Sequence, residues 1–397
     1  MRRDEIKALL KSEGPRRVLA TINSLLEGTK MENGATYKME PWQFSIREVW
    51  EGSVGPVEET LPSATGEQLF REALNTTAFY AITRLLLNNT VIAAYNSISG
   101  IGDSLVTTVK ASRRVENIAG FTEAEGLKDV LEGAPYEESS IGEKYVTTEA
   151  GKKGRLISIT EEMIMEDQTG QIIFRAQRIG EQAKVDKEIA ILSAVLDKNS
   201  TVYRPSGTPT AVYSTVNGNY AGTSGAYTGF ESAIPLVDWE TIDTLEQFHS
   251  LSISDDRQMG TAQPILWTPT QLLVPPGMKA TGLRIVNATE VRVTTNAPGS
   301  TAGENRSFFR NPVQGLFNVL SSPLMLRIGV SDASTHYHYG DFKRQFIYRD
   351  IWPIQTFSQG RDSDEAFERD VVSRFKVRYL GGVNAVDYRY VIKVKAA

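Results

Sequence analysis

The chain has 397 residues, and its only groups suited to imidazole chemistry are His249, His336 and His338; it has no cysteine. A thiol nucleophile, thiolate metal ligation and a disulfide framework are therefore excluded. In His336-Tyr337-His338 the alternation of a strand puts both rings on one face. A catalytic zinc ion normally draws on three protein ligands, and no third partner is identifiable, so the pair reads as structural. His249 stands near Asp243 and Ser250, but helical spacing alone does not make a triad. Gly100-Ile101-Gly102 opens like a dinucleotide fingerprint, yet Leu105 occupies the place of the third small residue and no good strand precedes it. Gly151-Lys152-Lys153-Gly154-Arg155 lacks the Ser or Thr of a phosphate loop and reads as a basic turn leading into a strand at Leu156 to Ile159. No carboxylate pair is singled out by its context. The residues thus point to no catalytic group, no cofactor and no metal, and to a protein that is not an enzyme.

Charge is distributed unevenly over a chain with 41% apolar residues, 23% charged residues and net charge −5. Between Gly120 and Ala150 eight acidic side chains, Glu123, Glu125, Asp129, Glu132, Glu137, Glu138, Glu143 and Glu149, face only Lys128 and Lys144, a local net of −6. Turn formers such as Gly126, Gly133, Pro135 and Gly142 interrupt short runs like Tyr145-Val146-Thr147, which predicts a long, exposed β-hairpin. Such a hairpin has too little apolar surface to order itself and must lie on something else. The plain alternative is a solvated acidic loop. The first 30 residues carry a net +3 and read as two short amphipathic helices split at Gly14-Pro15, either an ordinary solvated pair or a contact for nucleic acid or a partner. No apolar run approaches the roughly 20 residues of a membrane helix, and MRRDEIKALL is not a secretory leader, so a soluble intracellular setting without membrane contact is expected.

The elements that would position these groups centre on one helix. Asp167 to Leu196 reads as a single helix about 45 Å long. Ile172, Ala176, Ile179, Ala183, Ala190 and Ala194 fall on one stripe, and Phe174, Val185, Ile189, Leu192 and Leu196 on another. Gln177, Glu181, Lys184 and Glu188 lie between them. A helix with two apolar faces is held from two sides, and Gly180 in its middle costs about 1 kcal/mol relative to alanine. Glu40 to Ser63, with Trp42, Phe44 and Trp50, reads as an arm with aromatic anchors, and Gly66 to Asn88 as helical. Lys198 to Val237, poor in charge and with an Asn217-Gly218 turn signal, reads as an extended surface insertion. Asp238 caps a helix with Trp239, Ile242, Leu245 and Phe248. Thr268-Pro269-Thr270-Gln271 reads as a capping box opening a helix that Pro275-Pro276 stops. Strands are expected at Ile265 to Trp267, Val291 to Thr294, Phe317 to Leu320 and Phe346 to Tyr348. The tail alternates through Phe375, Val377 and Tyr379, then Tyr388, Tyr390 and Ile392, with Gly381-Gly382 as the separating turn. The fold class is α+β.

Several stretches taken in order carry a resemblance. EKYVTTEAGKKGRLISITEEMIMED leads into a helix with RAQRIGEQAKVDKEIAIL. DWETIDTLEQF is followed by PILWTPTQLL, then NPVQGLFNVLSSPLM and FERDVVSRFKVRYLGGVNAVDYRYVI. Over roughly residues 60 to 397 the chain resembles the major capsid proteins of tailed bacteriophages, the fold named after phage Hong Kong 97. The resemblance implies a leader or arm at 1–59, an N-arm at 60–115 and an extended loop at 116–155. It also implies a peripheral domain at 156–200 and 356–397 with the 167–196 spine helix, and an axial domain at 238–355; 201–237 stays a surface insertion.

Such a subunit would self-assemble as hexamers and pentamers of an icosahedral shell around double-stranded DNA. Portal, scaffold and decoration proteins would be partners, assembly would take place in the host bacterial cytoplasm, and the location would be the virion. The acidic loop, through Glu132, Glu137 and Glu138, would settle on a basic surface of an adjacent copy, with Arg175, Arg178 and Lys184 as receptors. Some family members cross-link loop lysines to asparagines; here Lys144, Lys152 or Lys153 with Asn384 would be the pairs to try. Arg2, Arg3, Arg16 and Arg17 would face the lumen. With a net charge of −5, DNA would be contained rather than gripped. One alternative keeps the fold in an encapsulin-like compartment shell, and another is a soluble enzyme with a diffuse carboxylate site.

Overall fold

The computed structural model describes residues 29–30, 36–37, 66–121, 130, 143–160, 162–163, 171–226, 229–252, 267–295, 305–329, 334–359 and 371–396. In chain order the strands are β1 (Thr29–Lys30), β2 (Thr36–Tyr37), β3 (Thr107–Lys110), β4 (Val115–Phe121), β5 (Glu143–Glu149), β6 (Gly151–Thr160), β7 (Tyr220–Ala221), β8 (Gln271–Leu273), β9 (Glu290–Thr295), β10 (Asn305–Arg310), β11 (Asn318–Leu320), β12 (His336–Gly340), β13 (Phe346–Gln359), β14 (Val371–Ala385) and β15 (Val391–Lys395). The helices are α1 (Gly66–Ser97), α2 (Gly102–Leu105), α3 (Gln171–Val195), α4 (Trp239–Ser252), α5 (Lys279–Asn287) and α6 (Phe342–Gln345). The class is α+β, as expected. The helix pairs at the N-terminus and the aromatic arm at 40–63 lie outside the described residues.

The chain divides into two units. The first takes in Met1–Ser99, Lys152–Asp186 and Trp352–Leu380. In it α1 buries Ile82, Leu86, Leu87, Val91 and Ala94, and the first half of α3 buries Ile172, Ile173, Ala176 and Ala183. Gly180 explains its own cost: a β-carbon there would run into the Val91 carbonyl and stand 3.0 Å from the Ala94 methyl, so its absence lets the helices approach closely. Thr356 of β13 hydrogen-bonds Asn88 of α1, fixing sheet to helix. On β14, Arg378 stacks over Trp352 at 4.5 Å and Phe357 at 4.4 Å.

The second unit takes in Gly100–Gly151, Lys187–Ile351 and Gly381–Ala397. Its centre is a five-stranded sheet in the order β11-β8-β12-β15-β7. The pleat sends alternate residues into opposite cores. Leu272, Tyr337, Tyr339, Ile392 and Val394 pack with Ile242, Leu245 and Phe248 of α4 and Ile285 and Val286 of α5. Leu273 and Val391 pack instead with Ile191, Leu192 and Val195 of α3 and with Phe342 and Phe346. Burying sheet residues on both faces removes nearly every strand side chain of β12 from water.

Four expectations are corrected. The Thr268–Gln271 box opens no helix: Gln271–Leu273 is a strand between β11 and β12, because too few residues precede Pro275-Pro276 to complete turns and both faces of Leu272-Leu273 are buried. The helix comes after the prolines, as a short 3-10 turn and then α5. Gly381-Gly382 makes no turn, since β14 runs through it to Ala385. These glycines serve close approach, as β-carbons would strike Tyr348 and the Glu149–Ala150 backbone. The chain reverses instead near Asp387, whose carboxylate accepts from the Tyr388 and Arg389 amides, and β15 joins the second unit's sheet rather than the peripheral strands. The 198–237 stretch is not a surface insertion. Val212 and Ala221 are fully buried, and Asn219 donates to the Val212 and Tyr388 carbonyls. Finally, α3 has a single continuous buried stripe that includes Gly180, Lys184 and Glu188, while Phe174 is 49% exposed.

Candidate functional site

The exposed edge of the first unit carries cations that no described residue pairs. β6 is a strand from Gly151 onward, not a turn followed by one, and it presents Lys152, Lys153 and Arg155 to solvent. Extended backbone alternates its side chains across the strand. Gly154 lies close against β14, where a β-carbon would stand 2.8 Å from the Val377 carbonyl. On α3, Arg175 and Arg178 are exposed. Among the described residues none of these five cations has an ion pair or hydrogen bond.

Between β6, α3 and β14 lies a cleft of about 550 Å³ lined by Lys153, Arg155, Arg178, Gln182, Asp186 and Tyr379. Three cations face one carboxylate, so the cleft is positively charged. The Tyr379 hydroxyl is buried with no hydrogen-bond partner among the described residues, and burial, with the Asp186 carboxylate and Tyr95 nearby, raises its pKa above the ordinary tyrosine value. It stays a neutral donor at any physiological pH. The arrangement suits an anion with several acceptor oxygens, held by charge and open to water.

The expected site residues separate into three groups. Arg175, Arg178, Lys152 and Lys153 are exposed on the first unit as required for contact with another molecule. Lys184 is a correction: helical phase turns it into the buried stripe, 9% exposed, with its ammonium 5.5 Å from the Tyr95 ring centre. Asn384 is likewise buried, 4% exposed, on a stretch of β14 buried on both faces, so it is not presented for cross-linking. Glu132, Glu137, Glu138, Arg2, Arg3, Arg16 and Arg17 lie outside the described residues, as does the side chain of Lys144 on β5. The cleft's Arg155 was missed because it was read as part of a turn, although its alternation with Lys153 was visible.

The histidines sit in packed surroundings. His336 joins the Tyr220 hydroxyl at 2.8 Å and the Thr335 hydroxyl at 2.9 Å. His338 is fully buried against Tyr213, and neither ring nitrogen has a hydrogen-bond partner among the described residues. Burial, with Lys393 and His336 nearby, pushes its pKa well below the ordinary imidazole value. His249 stands edge-on to Trp267, ring centres 4.2 Å apart. Among the described residues no group of three or more His, Asp or Glu side chains could hold a metal, and no helix is long and apolar enough to cross a membrane.

The chain is a mixed α+β fold with a long helix, an extended two-stranded ribbon and surface cations that no described residue pairs. A family model described as "Phage capsid protein" matches residues 144–394, and the chain belongs to that family: it is a phage capsid protein, whose place is in the capsid of a phage particle. Similar solved structures include one from Mycobacterium phage Adephagia, 16% identical over 75% of this chain and 90% of that one, with TM-score 0.43. Another is the capsid of a native GTA particle, 12% identical over 76% and 91%, TM-score 0.47. A third is the mature capsid of bacteriophage PhiM1, 12% identical over 75% and 87%, TM-score 0.42. No curated protein matches the chain.

Proposed function

We propose that this capsid subunit closes an icosahedral shell of hexamers and pentamers around double-stranded DNA by laying its acidic loop into the basic cleft of a neighbouring copy. In this reading 60–115 is the arm, 116–155 the loop, the first unit's strands with α3 the peripheral domain, and 238–355 the axial domain. Assembly takes place in the host cytoplasm, with portal and scaffold proteins as further partners and no reaction catalysed. The N-terminal arginines Arg2, Arg3, Arg16 and Arg17 face the packaged DNA, which the net charge of −5 allows the wall to contain but not to grip.

The observation that carries the reading is complementarity within one chain. Lys153, Arg155 and Arg178 line a cleft with no ion pair among the described residues, while Gly120 to Ala150 carries a −6 excess. Each exposed ion pair contributes about 0 to 1 kcal/mol, so strength comes from repetition around a closed ring of copies. The test is a charge swap. Replacing Glu132, Glu137 and Glu138 with lysine abolishes normal shells in electron micrographs, and adding Arg155→Glu and Arg178→Glu to that variant restores them. Normal shells from the first variant at ordinary salt would overturn the reading.

A further inference from the structure

A two-stranded ribbon is marginal in water by itself, and β4 and β5 form a two-stranded sheet, from Val115 opposite Glu149 to Phe121 opposite Glu143. The root of this ribbon is nevertheless held by two other parts of the second unit. From β13 comes Arg349, 2% exposed. Its Nη2 donates to the Arg113 carbonyl and the Glu116 carboxylate, each at 2.7 Å. Its Nη1 donates to the Thr148 carbonyl at 3.2 Å and the Arg114 carbonyl at 3.4 Å. One guanidinium thus spans the chain entering the ribbon and the strand leaving it. A planar fork can do this, whereas an ammonium on a flexible stem cannot hold both strands in one plane.

The outer edge of β5 meets the segment Val202 to Gly207. The Thr147 amide donates to the Arg204 carbonyl at 3.0 Å, and the Ser206 amide donates to the Tyr145 carbonyl at 2.9 Å. Arg204 pairs with Glu149 at 2.7 Å, one turn of the ladder further toward the root. The same segment is tied at its other end to β14, where the Ala385 amide donates to the Val202 carbonyl and Tyr203 bridges Ala385. Ser206 and Gly207, at φ 52° and 82°, then turn the chain away. Burial follows the two faces of the ribbon: Val146, Thr148 and Ala150 are buried on one, whereas Val115 and Tyr145, on the other, remain 53% and 42% exposed.

We infer that Arg349 and the Val202–Gly207 segment form a bracket that fixes the direction in which the β4–β5 ribbon leaves its unit, and so sets where the acidic loop meets a second copy. The last clause rests on the assembly reading proposed above. Arg349 is accordingly a positioning residue that touches no partner itself.

The test uses the full chain with Arg349→Lys and, separately, Arg204→Ala, which acts at the exposed rim and leaves the core intact. Amide exchange over 115–121 and 143–149 is measured before assembly, and particle diameters by electron microscopy afterwards. The expected result is exchange at the ribbon root at least about tenfold faster in Arg349→Lys and about two- to fivefold faster in Arg204→Ala, unchanged exchange in β12, and a spread of particle sizes or open sheets in place of uniform shells. Unchanged ribbon protection would overturn the bracket, and so would uniform shells of normal diameter despite faster exchange. The Glu132, Glu137 and Glu138 lysine variant separates the two proposals: it should keep full ribbon protection and still fail to assemble, so normal shells there would defeat the assembly reading and leave the exchange result standing.

Discussion

The two units handle charge in opposite ways. In the second, several charged side chains are paired inside the protomer: Arg349 with Glu116, Arg204 with Glu149, Lys187 with Asp103, and Arg389 with Asp387. Glu188, 5% exposed, accepts from the Ile101 and Gly102 amides at 2.7 and 2.8 Å. In the first, Lys152, Lys153, Arg155, Arg175 and Arg178 have no partner among the described residues. Buried charge must be compensated where it lies, since desolvation penalises any ion left alone. Exposed charge is under no such constraint, and so it remains available to another molecule. The difference separates residues that hold the subunit together from residues that join subunits.

The sharpest way to break this contrast is at Glu188. Glu188→Ala leaves two amides without their acceptor in a buried loop and should cost about 3 kcal/mol, read as a fall in the chemical denaturation midpoint of the unassembled chain. Glu188→Gln keeps one acceptor oxygen and should cost clearly less. A cost below about 0.5 kcal/mol for the alanine variant would mean that the paired charges of the second unit are not structural.

His338 tests the same unit through pH. Its folded pKa is depressed, so below the unfolded value of about 6.5 the unfolded chain binds a proton that the fold refuses. Stability then falls with acidity, by up to about 1.4 kcal/mol per pH unit from 6.5 down to the folded pKa, and it is unaffected above 7. His338→Gln should flatten that slope in denaturation curves between pH 7 and 5. An unchanged slope would place the titrating group elsewhere.

What the sequence disclosed follows the same physics. The long helix, the β4–β5 hairpin and the alternating tail were legible because hydrophobic period and turn residues are local signals. Gly381-Gly382 misled because glycine serves both tight turns and close approaches, and only the neighbours, Tyr348 and the Glu149 carbonyl here, decide which. Leu272-Leu273-Val274 is too short for its period to separate strand from helix, and the outcome was set by β11 and β12, which come later in the chain. The placement of Lys184 and Glu188 failed because polar residues were assigned to the outside of α3, whereas one gains Tyr95 and the other two backbone amides. Of the basic cleft, Arg178 and Lys153 were legible as exposed charges. Their convergence with Arg155 was not, since it depends on which face of β6 meets α3.

The smallest expected effect bears most directly on the contrast. If Arg155 and Arg178 do nothing for their own protomer, Arg155→Ala and Arg178→Ala should each change its stability by no more than about 0.5 kcal/mol, as exposed substitutions away from packed groups do. Assembly should respond differently, because screening at about 0.15 M salt has a length near 8 Å and weakens exposed pairs first. Light scattering of the wild type should show assembly slowing as salt rises, and the double alanine variant should start slow and respond less to salt. A variant that loses stability as a monomer, or one that keeps the full salt dependence, would show that these arginines belong with the paired charges of the second unit after all.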